Sequence, residues 1–234
     1  MRADIKGSTM PVLEIQLDDR ESVVSMHGEL SWMTANVHMS QTARGGGGLI
    51  GTLKRAVGGA GIFLTQYQAK SGEGLVAFAA KVPGHIVPVD VAHGQHFLVH
   101  RHGWLAGTPG VSASMAFQHS FRGGLWGGDG FVLQKLEGEG RAWVELSGEL
   151  NLYNLAPGQT MLVHPGHVGM FEQSVSFKIT TVPGIANKVF GRDGYHLVAL
   201  TGPGQIWLQS MPLPNLAHAL EPYLPQPETV RTFN

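Results

Sequence analysis

The chain of 234 residues contains no cysteine. Disulfides, thiolate nucleophiles and thiolate metal centres are therefore excluded, and the composition fits a reducing compartment. Charge is scarce as well. Asp, Glu, Lys and Arg make up 14% of the residues, well below the quarter or so of an ordinary soluble domain. The formal net charge is −1, and no basic stretch is longer than Lys54-Arg55, so no nucleic-acid partner is expected. No apolar run reaches the ~18 residues of a membrane-spanning helix. The first residues, Met1-Arg2-Ala3-Asp4-Ile5-Lys6, carry charges and lack the apolar segment of a secretory leader. A cytoplasmic location is expected, with association to a membrane surface left open.

Glycine is what the chain has in quantity, 33 residues beside 43% apolar residues. That mixture suits short strands joined by tight turns. The glycines also mark an internal repeat. Gly61-Ile-Phe-Leu-Thr-Gln-Tyr67 is followed by Gly72-Glu-Gly74, Gly130-Phe-Val-Leu-Gln-Lys-Leu136 by Gly138-Glu-Gly140, and Gly194-Tyr-His-Leu-Val-Ala-Leu200 by Gly202-Pro-Gly204. The closing glycines lie 66 and 64 residues apart, and a fixed period points to stacked or ring-like equivalent units. Ala77, Trp143 and Trp207 fall at matching places. His100 matches His164 within Leu98-Val-His100 and Leu162-Val-His164, and Val23-Val-Ser25 resembles both. Alternation such as Val12-Leu-Glu-Ile-Gln-Leu17 reads as a half-buried strand.

The expected fold is all-β, of β-sandwich or double-stranded β-helix type, with three pseudo-symmetric repeats in one domain over residues 1–211. The third copy stops after Ser210-Met211, and the N-terminal strand has the character of what is missing. It is expected to complete the third repeat and close a ring, which removes exposed sheet edges. Residues 212–234 hold five prolines and are expected to form a tail, with a short helical turn over residues 215–220 and an extended arm beyond.

Several elements together resemble one family. They are Gly28-Glu-Leu30, the loop Gly47-Gly-Leu-Ile-Gly-Thr-Leu-Lys-Arg55, Ile62-Phe-Leu-Thr65, Pro83-Gly-His-Ile-Val-Pro-Val-Asp90, Gly166-His167 and Gly202-Pro-Gly-Gln-Ile-Trp-Leu-Gln209. Their order over residues 12–211 is similar to that of the family named for the altered-inheritance-of-mitochondria protein twenty-four. The resemblance implies a fold like that of the tryptophan-RNA-binding attenuation protein, without implying RNA binding. It brings no catalytic residues. It links mitochondrial relatives to inner-membrane organisation. This chain departs from the family pattern in its wealth of histidine.

There are 12 histidines. His100, His102, His164 and His167 are the candidate metal ligands, because neutral imidazoles bind zinc, nickel or copper well. The competing reading is that these rings sit on the rim or satisfy the backbone. No carboxylate ligand or established ligand spacing accompanies them. Glu73, Glu139 and Pro203 occupy equivalent turn positions, and a proline there argues for turns rather than acid–base chemistry. Gly46-x-x-x-x-Gly51 lacks the Lys-Ser/Thr ending of a phosphate loop. Apolar loop tips at Leu49, Ile50, Leu53 and Trp126, with Lys54 and Arg55 nearby, are the candidate surface for a protein partner or a membrane. The alternative is that they plug the end of the barrel or lie in a subunit contact. The reading as a whole is a non-enzymatic scaffold or interaction protein, self-associating as a homo-oligomer. The alternative is a module for a small ligand or a divalent transition metal bound by the histidines; the sequence itself requires no cofactor.

Overall fold

The computed structural model describes residues 1–42, 64–119, 130–181 and 196–224, and their regular secondary structure is nearly all strand. After a charged strand β1 (Arg2–Lys6), the chain builds the same unit three times. The first unit is β2 (Val12–Leu17), β3 (Ser22–Met26), β4 (Trp32–Met33), β5 (Val37–Thr42), β6 (Leu64–Ala69) and β7 (Gly74–Ala79). The second is β8 (Gly84–Val91), β9 (His96–His100), β10 (Trp104–Gly107), β11 (Val111–His119), β12 (Phe131–Gly138) and β13 (Gly140–Ser147). The third is β14 (Leu150–Leu155), β15 (Thr160–Val163), β16 (Val168–Glu172), β17 (Ser176–Thr181), β18 (His196–Thr201) and β19 (Gly204–Gln209).

The ladders prove the equivalence. The glycine that opens the last strand of each unit, Gly74, Gly140 or Gly204, stands opposite Leu17, Val91 or Leu155 on the unit's first strand. All three partners are buried, each contributing about 1.5–3 kcal/mol of hydrophobic stabilisation. The turn itself demands glycine: at Gly140 φ is +142°, and a Cβ would lie 2.0 Å from Thr108 Oγ1.

The described residues form four antiparallel sheets, with strand orders β1-β2-β7-β4, β5-β6-β3-β10-β13-β8, β11-β12-β9-β16-β19-β14 and β15-β18-β17. The two six-stranded sheets each cross from one unit into the next, through the pairs β3·β10 and β9·β16. Each unit is thus a small sandwich that shares a sheet with its neighbour. Three apolar cores follow in series. The first packs Leu13, Ile15, Leu17, Tyr67 and Phe78 with Leu105 and Trp143. The second centres on Trp104, Leu136, Leu146 and Met170. The third gathers Leu133, Leu155, Phe171, Val198 and Ile206.

The all-β class and the repeats are as expected, but the frame of the repeat differs. β2 pairs with β1 and β7 and completes the first unit, not the third. The third unit is complete in itself, because β14 and β15 already supply its first strands. Among the described residues no ladder joins the N-terminal strands to the third unit, so the described strands do not form the expected closure. The glycine spacing fixes the period but not the boundary of the unit. The tail also differs: α1 (Leu213–Leu220) starts earlier than expected, with proline in its first turn, and a 3-10 turn (Glu221–Tyr223) follows where an extended arm was expected. No helix among the described residues is long and apolar enough to cross a membrane.

Candidate functional site

The histidines lie on the tight turns that leave β9 and β15. In the first, Gly103 N–H donates to His100 O at 2.9 Å; in the second, His167 N–H donates to His164 O at 2.9 Å. These are the same turn in successive units. Each brings one imidazole onto the same kind of acceptor. His100 Nε2 donates to the Glu145 carbonyl oxygen (3.0 Å), and His167 Nδ1 donates to the Gln209 carbonyl oxygen (2.8 Å). Glu145 and Gln209 are themselves equivalent, each the fifth residue after the glycine that opens its strand. The ring arrives from the first turn residue in one unit and from the fourth in the other. Gly103 explains the exchange. A Cβ on Gly103 would sit 2.8 Å from two atoms of the His100 ring, so a side chain there and a ring from position 100 exclude each other.

The side chains of Glu145 and Gln209 repeat one bond as well. Glu145 Oε1 accepts from Lys81 N–H at 2.8 Å, and Gln209 Oε1 from Ser147 N–H at 3.0 Å. Gln209 also donates from Nε2 to Gly166 O at 2.9 Å. Both residues are buried, and in each case the bonded N–H belongs to the segment leaving the preceding unit. Glu145 differs by carrying a carboxylate whose Oε2 makes no hydrogen bond with the described residues at ordinary geometry. Burial pushes its pKa up, opposed in part by the Lys81 N–H and ammonium and by the Val82 N–H. Lys81 is held in turn by Glu29, with Nζ 2.7 Å from Oε1.

Burial depresses the His100 pKa to about 4; the Glu145 carbonyl opposes the shift, and the charges of His102 and Lys81 add to it. His164 is also held below the ordinary imidazole value, by burial first and by neighbouring His167 second. Its ring centroid lies 5.7 Å from that of His167. The expected four-histidine metal set is not assembled. Among the described residues no group of three or more His, Asp or Glu is placed to hold a metal ion. The bonds to the two carbonyls take up Nε2 of His100 and Nδ1 of His167, so only the other nitrogen of each ring is left to face a ligand.

What the structure does form here is a cleft of about 320 Å³ at the seam of the second and third units. His100, His102, Phe131, Pro165 and Gln209 line it, and Leu213 of α1 closes one side. The histidines at 100 and 102 thus share a cavity wall. Glu145, Gln209 and the α1 residues were not singled out from sequence. The common offset of the first two from Gly140 and Gly204 was the signal that could have found them. Leu49, Ile50, Leu53 and Trp126, the candidate partner or membrane surface, lie outside the described residues.

Comparison with known proteins agrees with this architecture. An uncharacterised protein of Streptococcus pyogenes serotype M6 is 27% identical over 226 residues, covering 94% of this chain and 89% of its own. An X-ray crystal structure of a Streptococcus pyogenes protein superposes with a TM-score of 0.74 at 26% identity, covering 95% of this chain and 99% of that one. The family described as mitochondrial biogenesis AIM24 matches residues 3–211, and the chain belongs to that family.

Proposed function

We propose that this protein is a non-enzymatic, self-associating scaffold. One observation carries the reading. The buried side chains that recur from unit to unit are engaged by the main chain: Glu145 and Gln209 accept N–H groups from the segment leaving the preceding unit and so tie neighbouring units, and the imidazoles of His100 and His167 brace the Glu145 and Gln209 carbonyls within their own units. Groups used in this way fix geometry. The test is native mass spectrometry of the untagged protein. A homo-oligomer without stoichiometric adduct supports the scaffold; a monomer at micromolar concentration overturns it.

The cleft favours a second reading, a small-ligand module. Its walls combine the apolar Phe131, Pro165 and Leu213 with polar atoms of His102 and Gln209, the usual composition of a small-molecule site. A retained mass in the same spectrum, lost in a Phe131→Ala variant, supports it. The loop residues Leu49, Ile50, Leu53 and Trp126 extend the scaffold reading toward a partner or membrane surface. Sedimentation with anionic vesicles, abolished by serine at those four positions, tests that extension.

A further inference from the structure

The seam between units is built twice within the chain, and its two halves recur unjoined at the ends. In the first seam Ser25 of β3 stands opposite Ala106 of β10, and Val24 opposite Gly107. In the second, Val99 of β9 stands opposite Met170 of β16, and Leu98 opposite Phe171. The other ladders identify the third pair of edges. Ser25, Val99 and Val163 face Thr65, Gln134 and Val198, so β15 is the third copy of the strand that opens a seam. Trp32, Ala106 and Met170 face Ala77, Trp143 and Trp207, so β4 is the third copy of the strand that receives it. Yet β4 ends the first sheet, β15 ends the last, and no ladder joins them among the described residues.

Side-chain exposure follows the same division. Ala106 and Met170 are fully buried in their seams, whereas Trp32 is 46% exposed. Val24 is 2% exposed at the first seam, whereas its equivalent Leu162 is 54% exposed. β15 reads Thr-Met-Leu-Val, with neither charge nor proline to blunt an open edge. Among the described residues the first core holds none beyond Trp143, and the third holds none before Leu98. The two edges therefore belong to opposite ends of the series of cores.

We infer that β15 of one copy adds antiparallel to β4 of the next, with Val163 opposite Trp32 and Leu162 opposite Met33. This rests on the self-associating reading above and names its surface. The product is a sheet β17-β18-β15·β4-β7-β2-β1, a third seam of the same construction as the two within the chain. Main-chain hydrogen bonds supply the attachment, as in strand addition generally. The contact is head-to-tail, so it propagates into a ring or a filament rather than stopping at a two-fold dimer.

The natural absence of cysteine makes the test clean. Facing residues of an antiparallel pair have Cα atoms ~4.5–5.5 Å apart, within disulfide reach. Single variants M33C and L162C are mixed and oxidised, and the double variant is oxidised alone. The inference expects a mixed M33C–L162C dimer from the pair and a reducible ladder of multimers from the double variant. A double variant that forms only an intrachain disulfide overturns it, because the chain then closes on itself. An oligomeric wild type whose variants form no cross-link overturns this seam and leaves self-association standing; a monomeric wild type removes both. Leu162→Lys is the independent check. It alters an exposed side chain, so thermal melting of the protomer should be unchanged while the oligomer peak is lost; an oligomer that survives the lysine also overturns the seam.

Discussion

Gln209 is a natural control for Glu145, and that makes Glu145→Gln the sharpest test of how the units are held. In the wild type the carboxylate accepts from Lys81 N–H, while its other oxygen is buried without a hydrogen bond of ordinary geometry to the described residues. Such a group costs on the order of 1–3 kcal/mol. The amide keeps the first bond and gains a donor, which by the equivalence with Gly166 should reach the His102 carbonyl. What is lost is attraction to Lys81. That ammonium is 43% exposed and already paired with Glu29, so the loss is at most about 1 kcal/mol. The net expectation is a gain of about 1 kcal/mol at neutral pH, or roughly 2–4 °C in melting temperature. The pH dependence follows from burial raising the Glu145 pKa above the ordinary carboxylate value. Between the two values the folded chain keeps a proton that the unfolded chain has released. The stabilising contribution is therefore complete below the unfolded pKa and is lost as pH rises through the folded one. The advantage of the glutamine variant should thus grow from acid to neutral pH and vanish in acid. Differential scanning calorimetry at several pH values reads it directly. A variant less stable than wild type at pH 8 would refute the reasoning, since ionised Glu145 would then be net favourable beside Lys81.

Three further outcomes are expected. His100 has its pKa lowered from 6.5 to about 4, so stability should fall as pH drops below 6.5 and level off near 4. About 3 kcal/mol is the ceiling, reduced by the ring's partial exposure, and calorimetry of His100→Gln should show the dependence removed. Gly103→Ala places a Cβ 2.5 Å from Val99 Cγ1 and 2.8 Å from the His100 ring; it should cost about 1–3 kcal/mol and shift the His100 ring resonances in NMR, and an unchanged melt would contradict the exchange described for that turn. Removing residues 1–18 takes away β2 with Leu13, Ile15 and Leu17, all fully buried. The loss of about 5–9 kcal/mol should unfold at least the first unit, seen as proteolysis confined to residues before β8.

How much of this was legible in the sequence depends on which physical signal was available. The strand class, the glycine turns and the period follow from local patterning, and Trp143 and Trp207 take equivalent places beside Ala106 and Met170 as their spacing implied. The unit boundary was not legible, because a cyclic permutation leaves every spacing unchanged. Only the ladders show that Leu17, rather than a strand of the third copy, faces Gly74. The histidines illustrate a different limit. Their residue type and alternation suit a metal, but protonation of a ring nitrogen depends on which carbonyl it meets, and the two carbonyls belong to residues 45 and 42 positions away. Equivalence between repeats carries further than residue type does. It aligns Glu145 with Gln209 and Lys81 with Ser147, and the units differ at those positions: one seam holds a Glu29–Lys81 ion pair, and the other opens into the cleft that Ser147 and Gln209 line. A repeat protein that only needed to be rigid could have kept both seams alike. The divergence at otherwise equivalent positions is what gives the cleft its claim to a ligand, whereas the terminal edges draw their claim to a second copy from the equivalence of β4 and β15 with the strands of the two seams.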